Sequence, residues 1–487
     1  MFSVAIVQQL QTVYATRTPF HPPKLFPETP FDIEIDSTNE AYTSVRELFR
    51  LLEYDLENHD TPQWNPLGWL IKPGETVFLK PNMIAEKHYY KDEWESVITH
   101  GSVVRAVVDY VFIALKGEGK IIIGDSPTTE AKFAELVQLM GLKGIQALYR
   151  QAKNFALEII DLRDEHWIEK DHVVVDTIKL SGDPRGGVSV DLANDSMFTE
   201  LDKQGKQYYG AFYDTAETNQ HHTDGKHEYA ISKSPIVADV FISIPKLKTH
   251  KKCGLTLNLK GLVGINAKKN WLPHYIFGSP EKGGDQFAKA SAKSELENTL
   301  VRRAKQVLLK KNPLTQMVAR KTKNLAYKIF GHTEDVIRSG NWHGNNTVWR
   351  MALDLNRILL YANPDGAMRE AGNAKRYFSV VDGIVAMEGN GPVAGVPKQT
   401  GILLAGANAV AVDTVCAKLM GFDYKKLPLL LRAYQTHRFP LLEGTIDDIK
   451  TVSNNSVWNK PLGEWQLSDV FHFEPHFAWK SMIELED

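Results

Sequence analysis

The sequence has 487 residues and a formal net charge of −2, with a hydrophobic fraction of 43% and a charged fraction of 24%. This is ordinary globular composition in a chain long enough for more than one domain. The balanced charge excludes a general preference for nucleic acid or anionic membranes, so any basic surface is local. The two cysteines, Cys253 and Cys416, exclude a disulfide framework and lack the spacing of a zinc or iron–sulfur site.

The first ten residues have no basic region and only a short apolar run, which is typical of a first β-strand rather than of a signal peptide. No stretch of the sequence approaches the roughly 18 continuous apolar residues of a membrane-spanning helix. We therefore expect a cytoplasmic protein without a membrane span.

The predicted elements alternate between strands and helices along the chain. A strand at residues 2–8 precedes a helix over 38–53, for which Ser37 or Thr38 is the expected N-cap. The same signals then indicate a strand at 75–83, a helix at 103–115, further strands at 120–124, 236–245, 377–382 and 401–405, and a helix at 410–420. This rhythm predicts an α/β fold with a mostly parallel sheet and helices on both faces.

Two segments interrupt the rhythm. Residues 181–235 are rich in Gly, Asp, Asn and Gln, which predicts a loop-rich insertion. Residues 286–360 include the most basic and helical part of the chain and predict a helical basic insertion. The expected division is a first α/β half, the loop-rich insertion, a lysine-rich strand and loop of the core, the helical insertion, and a second α/β part with a C-terminal tail (1–180, 181–235, 236–285, 286–360 and 361–487).

Polar side chains stand where several predicted strands end. Ligands of open parallel sheets bind beyond the carboxyl ends of the strands, so Lys80, Asn82, Asp125 and Ser126 are predicted to bind substrate. His100 precedes the helix over 103–115. We predict that it caps this helix and serves as a catalytic residue, the alternative being a purely structural histidine.

The segment 245–264 is the richest in candidate functional groups. Its lysines stand beside glycines in a pattern that predicts a cradle for phosphate or carboxylate. Crowded cations also lower the pKa of one another, which suits a lysine or histidine to proton transfer. Lys248 and His250 are therefore predicted to be catalytic, and Lys246, Asn258 and Lys260 to bind substrate. The alternative is a solvated lysine run on a surface loop.

The segment 382–395 combines two carboxylates with three glycines and a proline. Asp382 and Glu388 are predicted to bind a divalent cation, Mg²⁺ or Mn²⁺, or to act in acid–base catalysis, with Glu388 as a catalytic residue and Asn390 as a substrate ligand. The alternative is a glycine-rich turn with surface acids. Asp413 lies within an apolar helix, where an unpaired carboxylate is costly, so we expect it to bind a polar group such as a helix N-terminus.

Residues 340–357 are dense in Trp, His, Asn and Arg. We predict that Asn345 and Arg350 contact substrate; the alternative is an ion pair between Arg350 and Asp354, four residues apart on a helix. The basic helices within 300–328 would dock an acidic partner or form a solvated face. They lack the interleaved aromatic residues of nucleic-acid-binding surfaces.

The sequence contains no P-loop, no G-x-G-x-x-G after the first strand, no G-x-S-x-G elbow and no H-E-x-x-H motif. Their absence disfavours the usual kinases, dehydrogenases, α/β-hydrolases and zincins.

Several segments together resemble the family known as domain of unknown function 362, over about residues 75–425. They are 77–82, 99–100, 122–127, 238–250 with Pro-Lys-Leu-Lys-Thr-His, 259–264, 381–392 with Glu-Gly-Asn-Gly-Pro, and 411–413. Many relatives carry a ferredoxin-like four-cysteine module that this chain lacks, so no intrinsic iron–sulfur cluster is expected. The block 340–357 resembles a subgroup insertion associated with bacterial polysaccharide gene neighbourhoods. The resemblance implies a fold and a site but no particular reaction.

These patterns predict an enzyme that acts on a small phosphorylated or carboxylated molecule, with or without a divalent cation, in polysaccharide or cofactor metabolism. Phosphoryl or glycosyl-phosphate chemistry and a proton-transfer isomerisation both fit. One alternative is a non-catalytic binding or assembly protein that docks an acidic partner. A weaker one is a redox protein that works with an external iron–sulfur partner. A homo-oligomer is compatible with all three.

Overall fold

The computed structural model describes residues 1–31, 33–170, 173–204, 207–210, 214–290 and 336–486. Within these ranges the strands are β1 (Phe2–Gln8), β2 (Thr76–Pro81), β3 (Lys120–Asp125), β4 (Leu157–Asp161), β5 (Glu165–Lys170), β6 (Val173–Lys179), β7 (Gly187–Asp191), β8 (Tyr208–Gly210), β9 (Glu228–Ser232), β10 (Val240–Ile244), β11 (Lys246–His250), β12 (Gly254–Thr256), β13 (Pro273–Ile276), β14 (Arg376–Glu388), β15 (Val396–Gly406) and β16 (Ile449–Ser453). The helices are α1 (Glu40–Leu51), α2 (Gly101–Leu115), α3 (Phe133–Leu139), α4 (Leu142–Lys153), α5 (Thr215–Gln220), α6 (Lys233–Val237), α7 (Asn258–Gly261), α8 (Val348–Tyr361), α9 (Ala409–Met420) and α10 (Pro428–Ala433).

The central sheet has the strand order β16-β1-β15-β14-β10-β2-β3-β4. The five strands from β14 to β4 run parallel to one another, and β15 is antiparallel to both β14 and β1. Beyond the end of β10, β11 continues along β14, and β12 pairs with β11. The predicted α/β fold with a mostly parallel sheet is confirmed.

Alternate residues of the central strands point into two separate hydrophobic cores. Val77 and Leu79 of β2 pack into the core that contains α1 and α2, whereas Phe78 between them packs into the core that contains α8 and α9. Since successive side chains of a strand point to opposite faces, helices cover both faces of the sheet. Within the described residues, no helix is long and apolar enough to cross a membrane.

The N-cap of α1 differs from the prediction. Asn39, rather than Ser37 or Thr38, accepts a hydrogen bond from the backbone N–H of Tyr42 at 3.3 Å. The Asn39 amide also donates to the carbonyls of Phe20 and His21, at 3.0 and 2.9 Å. A buried asparagine that joins the preceding loop to the helix has more partners than an exposed Ser or Thr cap.

The segments predicted as insertions contain regular structure where they are described. β7 pairs with β9, and β8 pairs with β13, in two small antiparallel sheets outside the main one. Helix α8, at the end of the predicted basic insertion, is buried in the core. The basic helices predicted within 300–328 lie outside the described residues, and the domain boundaries stay predictions.

The contact between α9 and α7 confirms the expectation for Asp413. The fully buried Asp413 carboxylate accepts hydrogen bonds from the backbone N–H of Asn258 at 3.1 Å, from its side-chain amide at 2.8 Å, and from the backbone N–H of Leu259 at 2.9 Å. Burial raises the pKa of Asp413 to about 7, while these N–H donors oppose the rise. Asp413 therefore fixes the first turn of α7, the helix that carries Lys260.

Asp413→Ala leaves three N–H groups buried without an acceptor. We expect the free energy of unfolding to fall by about 3 kcal/mol, measured by urea denaturation, because unsatisfied buried donors are costly. The matched control is Asp447→Ala, at an exposed position, which should change it by less than about 0.5 kcal/mol. Equal small effects for both variants would show that the contact does not hold α7.

Candidate functional site

Two strand ends meet at the carboxyl edge of the sheet through an ion pair. Lys80, at the end of β2, contacts Asp125, at the end of β3, with Nζ 2.8 Å from Oδ1. Asp125 also accepts from the backbone N–H groups of Met83 at 2.8 Å and Ser126 at 2.9 Å. A Cβ atom at position 264 would overlap both side chains of the pair, so only glycine fits there. Asp125 is thus fully engaged by protein groups.

A second ion pair joins the lysine-rich and acidic segments. Lys246 lies opposite Asp382 where β11 runs along β14, and both side chains are fully buried. Lys246 Nζ is 2.7 Å from Asp382 Oδ2 and 2.8 Å from the hydroxyl of Tyr14. Tyr14 donates to Asp382 Oδ1 at 2.5 Å, and the backbone N–H of His100 donates to Oδ2 at 2.9 Å. The two predicted segments therefore meet, but these two charges neutralise each other.

Lys248 connects three loops around this pair. Its ammonium donates to the carbonyls of Val97 at 2.7 Å and Pro392 at 3.2 Å, and to the side-chain oxygen of Asn82 at 3.4 Å. Burial, Lys246 and Lys260 lower the pKa of Lys248 well below its ordinary value. Because three acceptors match its three hydrogens, Lys248 has no free donor for a substrate.

His100 is the N-cap of α2, as predicted. Its Nδ1 accepts from the backbone N–H of Ser102 at 3.1 Å. The ring lies between those of Tyr14 and Trp94, with centroid separations of 4.1 and 5.2 Å. Burial, followed by Lys246, lowers its pKa well below 6.5, which keeps the imidazole neutral. The catalytic role of His100 stays a prediction.

Lys260 differs from these lysines because no described residue pairs with its ammonium. It is partly buried on α7, and it lies within electrostatic range of several other basic side chains. Burial lowers the pKa of Lys260, and Lys80 lowers it further, while Cys253 and Asp125 oppose the shift. We call the group around it the basic cluster; its members are Lys80, Lys248, His250, Lys260, Lys269 and His274.

Lys269 is a member of the cluster that sequence analysis missed. Its ammonium donates to the carbonyls of Ser126 at 2.7 Å and Val263 at 3.3 Å. Burial is the main cause that lowers its pKa to about 7, and Lys80 and Lys260 contribute. The basic cluster therefore contains more cationic groups than the single carboxylate of Asp125 can neutralise.

The two histidines of the cluster carry their proton on different ring nitrogens. His250 Nδ1 accepts from the backbone N–H of Lys252 at 3.0 Å, which places the proton of the neutral ring on Nε2. His274 Nδ1 lies 2.8 Å from the carbonyl of Leu272 and donates to it, which leaves a lone pair on Nε2. Burial and nearby lysines lower the pKa of both rings well below 6.5, so both are neutral at neutral pH. In the cluster, Nε2 is thus a donor on His250 and an acceptor on His274, and both rings lie within electrostatic range of Lys260.

Other predicted substrate ligands are already bonded within the protein. The amide of Asn258 donates to Asp413, and its oxygen accepts from Tyr377 and Ser379. Ser126 donates to the carbonyl of Asn266 at 2.9 Å. Asn82 is buried beside Lys248. All three residues are buried, and their contact with substrate stays a prediction.

Asn345 and Arg350 contact other loops. Asn345 accepts from the backbone N–H groups of Thr347 and Val348 at the start of α8 and donates to the carbonyl of His274. Arg350 pairs with Glu200 at 2.8 Å. The Arg350–Asp354 pair suggested by helical spacing does not form; Asp354 instead accepts from Ser196, Met197 and Tyr229.

Asp382 and Glu388 have separate partners. Glu388 pairs with Lys398 at 2.7 Å and accepts from the backbone N–H of Glu474, next to the loop that contains Asn390. Among the described residues no group of three or more His, Cys, Asp and Glu side chains is arranged to hold a metal ion. Cys253 and Cys416 are both buried free thiols. The role of Asp382 and Glu388 in binding Mg²⁺ or Mn²⁺ stays a prediction.

Tyr14 and His274 were missed along with Lys269. Tyr14 precedes Lys246 by 232 residues and follows no strand-end pattern. Lys269 and His274 lie shortly after the lysine-rich segment, in Lys268-Lys-Asn-Trp-Leu-Pro-His274. Extending that segment by ten residues would have included both.

The fold and the site define an α/β protein with a basic cluster beyond the carboxyl ends of parallel strands. The chain belongs to the family described as domain of unknown function (DUF362), whose model matches residues 77–185 and 193–418. The family resemblance predicted from the sequence is confirmed.

More distant similarities are short or weak. A stretch of 53 residues is 38% identical to a thylakoid-associated protein of Synechocystis sp., covering 11% of this chain and 16% of that protein. The lactate racemase apoprotein of Thermoanaerobacterium thermosaccharolyticum aligns with 47% of this chain and 38% of its own, at 11% identity and a TM-score of 0.22. A Thermotoga maritima protein aligns with 80% of this chain and 60% of its own chain, at 10% identity and a TM-score of 0.31. Each alignment covers less than two thirds of the other protein, and TM-scores this low carry no argument about function.

Lys246→Met leaves the Asp382 carboxylate buried without its counter-charge. We expect a loss of about 3–5 kcal/mol in unfolding free energy, and a smaller loss for Lys246→Met combined with Asp382→Leu. The control is Lys398→Met, which breaks a partly exposed pair with Glu388 and should cost less than about 1 kcal/mol. A double variant as unstable as the single one would show that the charges are not coupled.

Proposed function

We propose that the protein is an enzyme that acts on a small phosphorylated or carboxylated molecule bound at the basic cluster. The observation that supports this proposal is the unpaired ammonium of Lys260. Lys80 is neutralised by Asp125, and Lys246 by Asp382, whereas Lys260 has no such partner within the described residues. A partly buried charge without a partner is costly, and an anionic ligand would supply the missing counter-charge.

The histidines support a reaction and not only binding. The N–H of His250 at Nε2 would donate to an oxyanion, and the lone pair of His274 at Nε2 would accept a proton from the substrate. Nearby lysines stabilise negative charge as it develops on the substrate. Of the two reaction classes considered, this arrangement favours proton transfer, such as an isomerisation.

The alternatives gain no specific support. Docking of an acidic partner depends on helices outside the described residues. Redox chemistry with an external iron–sulfur partner would need accessible thiols, whereas Cys253 and Cys416 are buried, and burial raises the pKa of Cys253 to about 12.

Lys260→Met should weaken binding of sulfate, a non-titrating stand-in for the anion. Loss of a charge-assisted contact costs about 1.5–3 kcal/mol, so the Kd from calorimetry should rise about tenfold to a hundredfold. The melting temperature without ligand should not fall, because Lys260 gives up no ion pair.

The matched control is Lys268→Met, at an exposed lysine on the same segment, which should bind sulfate like the wild type. Equal affinity in Lys260→Met and the wild type would contradict the proposal, since the basic cluster would then not be the anion site.

Sulfate affinity should fall as the pH rises through about 7. The pKa of Lys269 is lowered to about 7, so the free protein loses this positive charge above that pH, and the anion binds the charged form. Calorimetry across this range should show Kd rising by up to about tenfold per pH unit. Lys269→Met should remove this step near pH 7 and Lys268→Met should retain it; a pH-independent Kd in the wild type would contradict the assignment.

A further inference from the structure

Lys260 is suited to a second role beyond neutralising charge. The ammonium groups of Lys248 and Lys269 are occupied by carbonyl oxygens, and that of Lys80 by a carboxylate. Among the lysines of the basic cluster, only Lys260 has neither kind of partner within the described residues, and part of its side chain remains accessible. Its Nζ is therefore available to react.

We propose that Lys260 forms a covalent imine with the carbonyl carbon of an anionic substrate, namely an oxo acid or a phosphorylated aldehyde or ketone. This inference rests on the proposed function, because the anionic group of such a substrate would bind in the basic cluster while its carbonyl carbon approaches Nζ.

The surroundings of Lys260 favour the reactive form of the amine. A lysine becomes nucleophilic when it loses its proton, and burial beside other cations favours that loss. Burial and Lys80 act on Lys260 in this direction, lowering its pKa. In the part of the chain that the structure describes, no carboxylate pairs with Lys260 to hold it as an ammonium ion.

The chemistry requires no external oxidant or metal. The lone pair of neutral Nζ attacks the carbonyl carbon and forms a C–N bond while the C–O π bond breaks. His274 Nε2 would accept one proton from the nitrogen and pass it to the oxygen, which gives a neutral carbinolamine. A proton from solvent water then adds to the hydroxyl group, the C–O bond breaks, water leaves, and the nitrogen lone pair forms the C=N bond of the protonated imine. His250 Nε2–H would donate a hydrogen bond to the oxygen and keep its own proton. The resulting protonated imine withdraws electrons from the adjacent carbon, whose proton becomes easier to remove.

The test is reductive trapping of the imine with sodium borohydride. The wild-type protein is incubated at neutral pH with pyruvate or with glyceraldehyde 3-phosphate, reduced, digested, and mapped by mass spectrometry. We expect a saturable label on Lys260 that sulfate suppresses. Lys260→Arg keeps a positive charge but cannot form the imine under these conditions, so it should lose the label and still bind sulfate. Lys260→Met should also lose the label, and Lys268→Met should keep it.

The outcomes separate this inference from the proposed function. If sulfate and the carbonyl compounds compete for binding but the label is no richer on Lys260 than on Lys268, the imine is excluded and the anion site remains. If neither sulfate nor either carbonyl compound binds at the basic cluster, both proposals fail. Label on Lys260 that sulfate does not suppress would also overturn the inference, because the reaction would then be independent of the anion site.

Discussion

The ion pair between Lys246 and Asp382 holds β11 along β14, and the other parts of the site are arranged around it. Both side chains are fully buried, and each has further hydrogen-bond partners. Such a pair is expensive to desolvate, but removing one member leaves the other uncompensated. The pair therefore adds little to total stability, but it specifies the position of β11 on β14. In this way it also positions Lys248 and the loop that leads to Lys260.

Once these pairs are formed, the distribution of charge around the strand ends is uneven. Asp382 forms an ion pair with Lys246, and Asp125 forms one with Lys80. Asp413 accepts hydrogen bonds from the first turn of α7. Each of these three carboxylates thus has a structural partner. Lys260 lies within electrostatic range of the remaining basic side chains and of the neutral His250 and His274, and no acid among the described residues pairs with it. A surplus of positive charge that the protein does not neutralise is a general property of anion-binding sites.

Sequence reasoning predicted which segments meet but not the contacts of their side chains. Strand ends that change abruptly from apolar residues to Lys, Asp or His were expected to lie together, because the carboxyl ends of parallel strands share one edge of the sheet, and Lys80 contacts Asp125 there while Lys246 contacts Asp382. The cost of a carboxylate in an apolar helix likewise identified the partner of Asp413. Neither rule separates Lys246 or Lys248 from Lys260, since their differences depend on Tyr14, Val97 and Pro392, which lie far away in the chain. The irregular pairing between β11 and β14 adds a further change of register between Lys246 and Lys248 that no pattern reveals.

These lysines differ in how many hydrogens of the ammonium group have acceptors as much as in charge. An ammonium ion has three hydrogens, and a lysine that meets three acceptors, as Lys248 does, is bound in a fixed position regardless of how its proton equilibrium is shifted. A lowered pKa therefore identifies a reactive lysine only when at least one hydrogen-bonding position of Nζ is unoccupied. Lys248 and Lys269 have a lowered pKa, but carbonyl oxygens accept from their Nζ atoms. Lys260 has a lowered pKa and, within the described residues, no acceptor for its Nζ. Hydrogen-bond occupancy, rather than the size of the pKa shift, is the criterion that singles out Lys260 in this cluster.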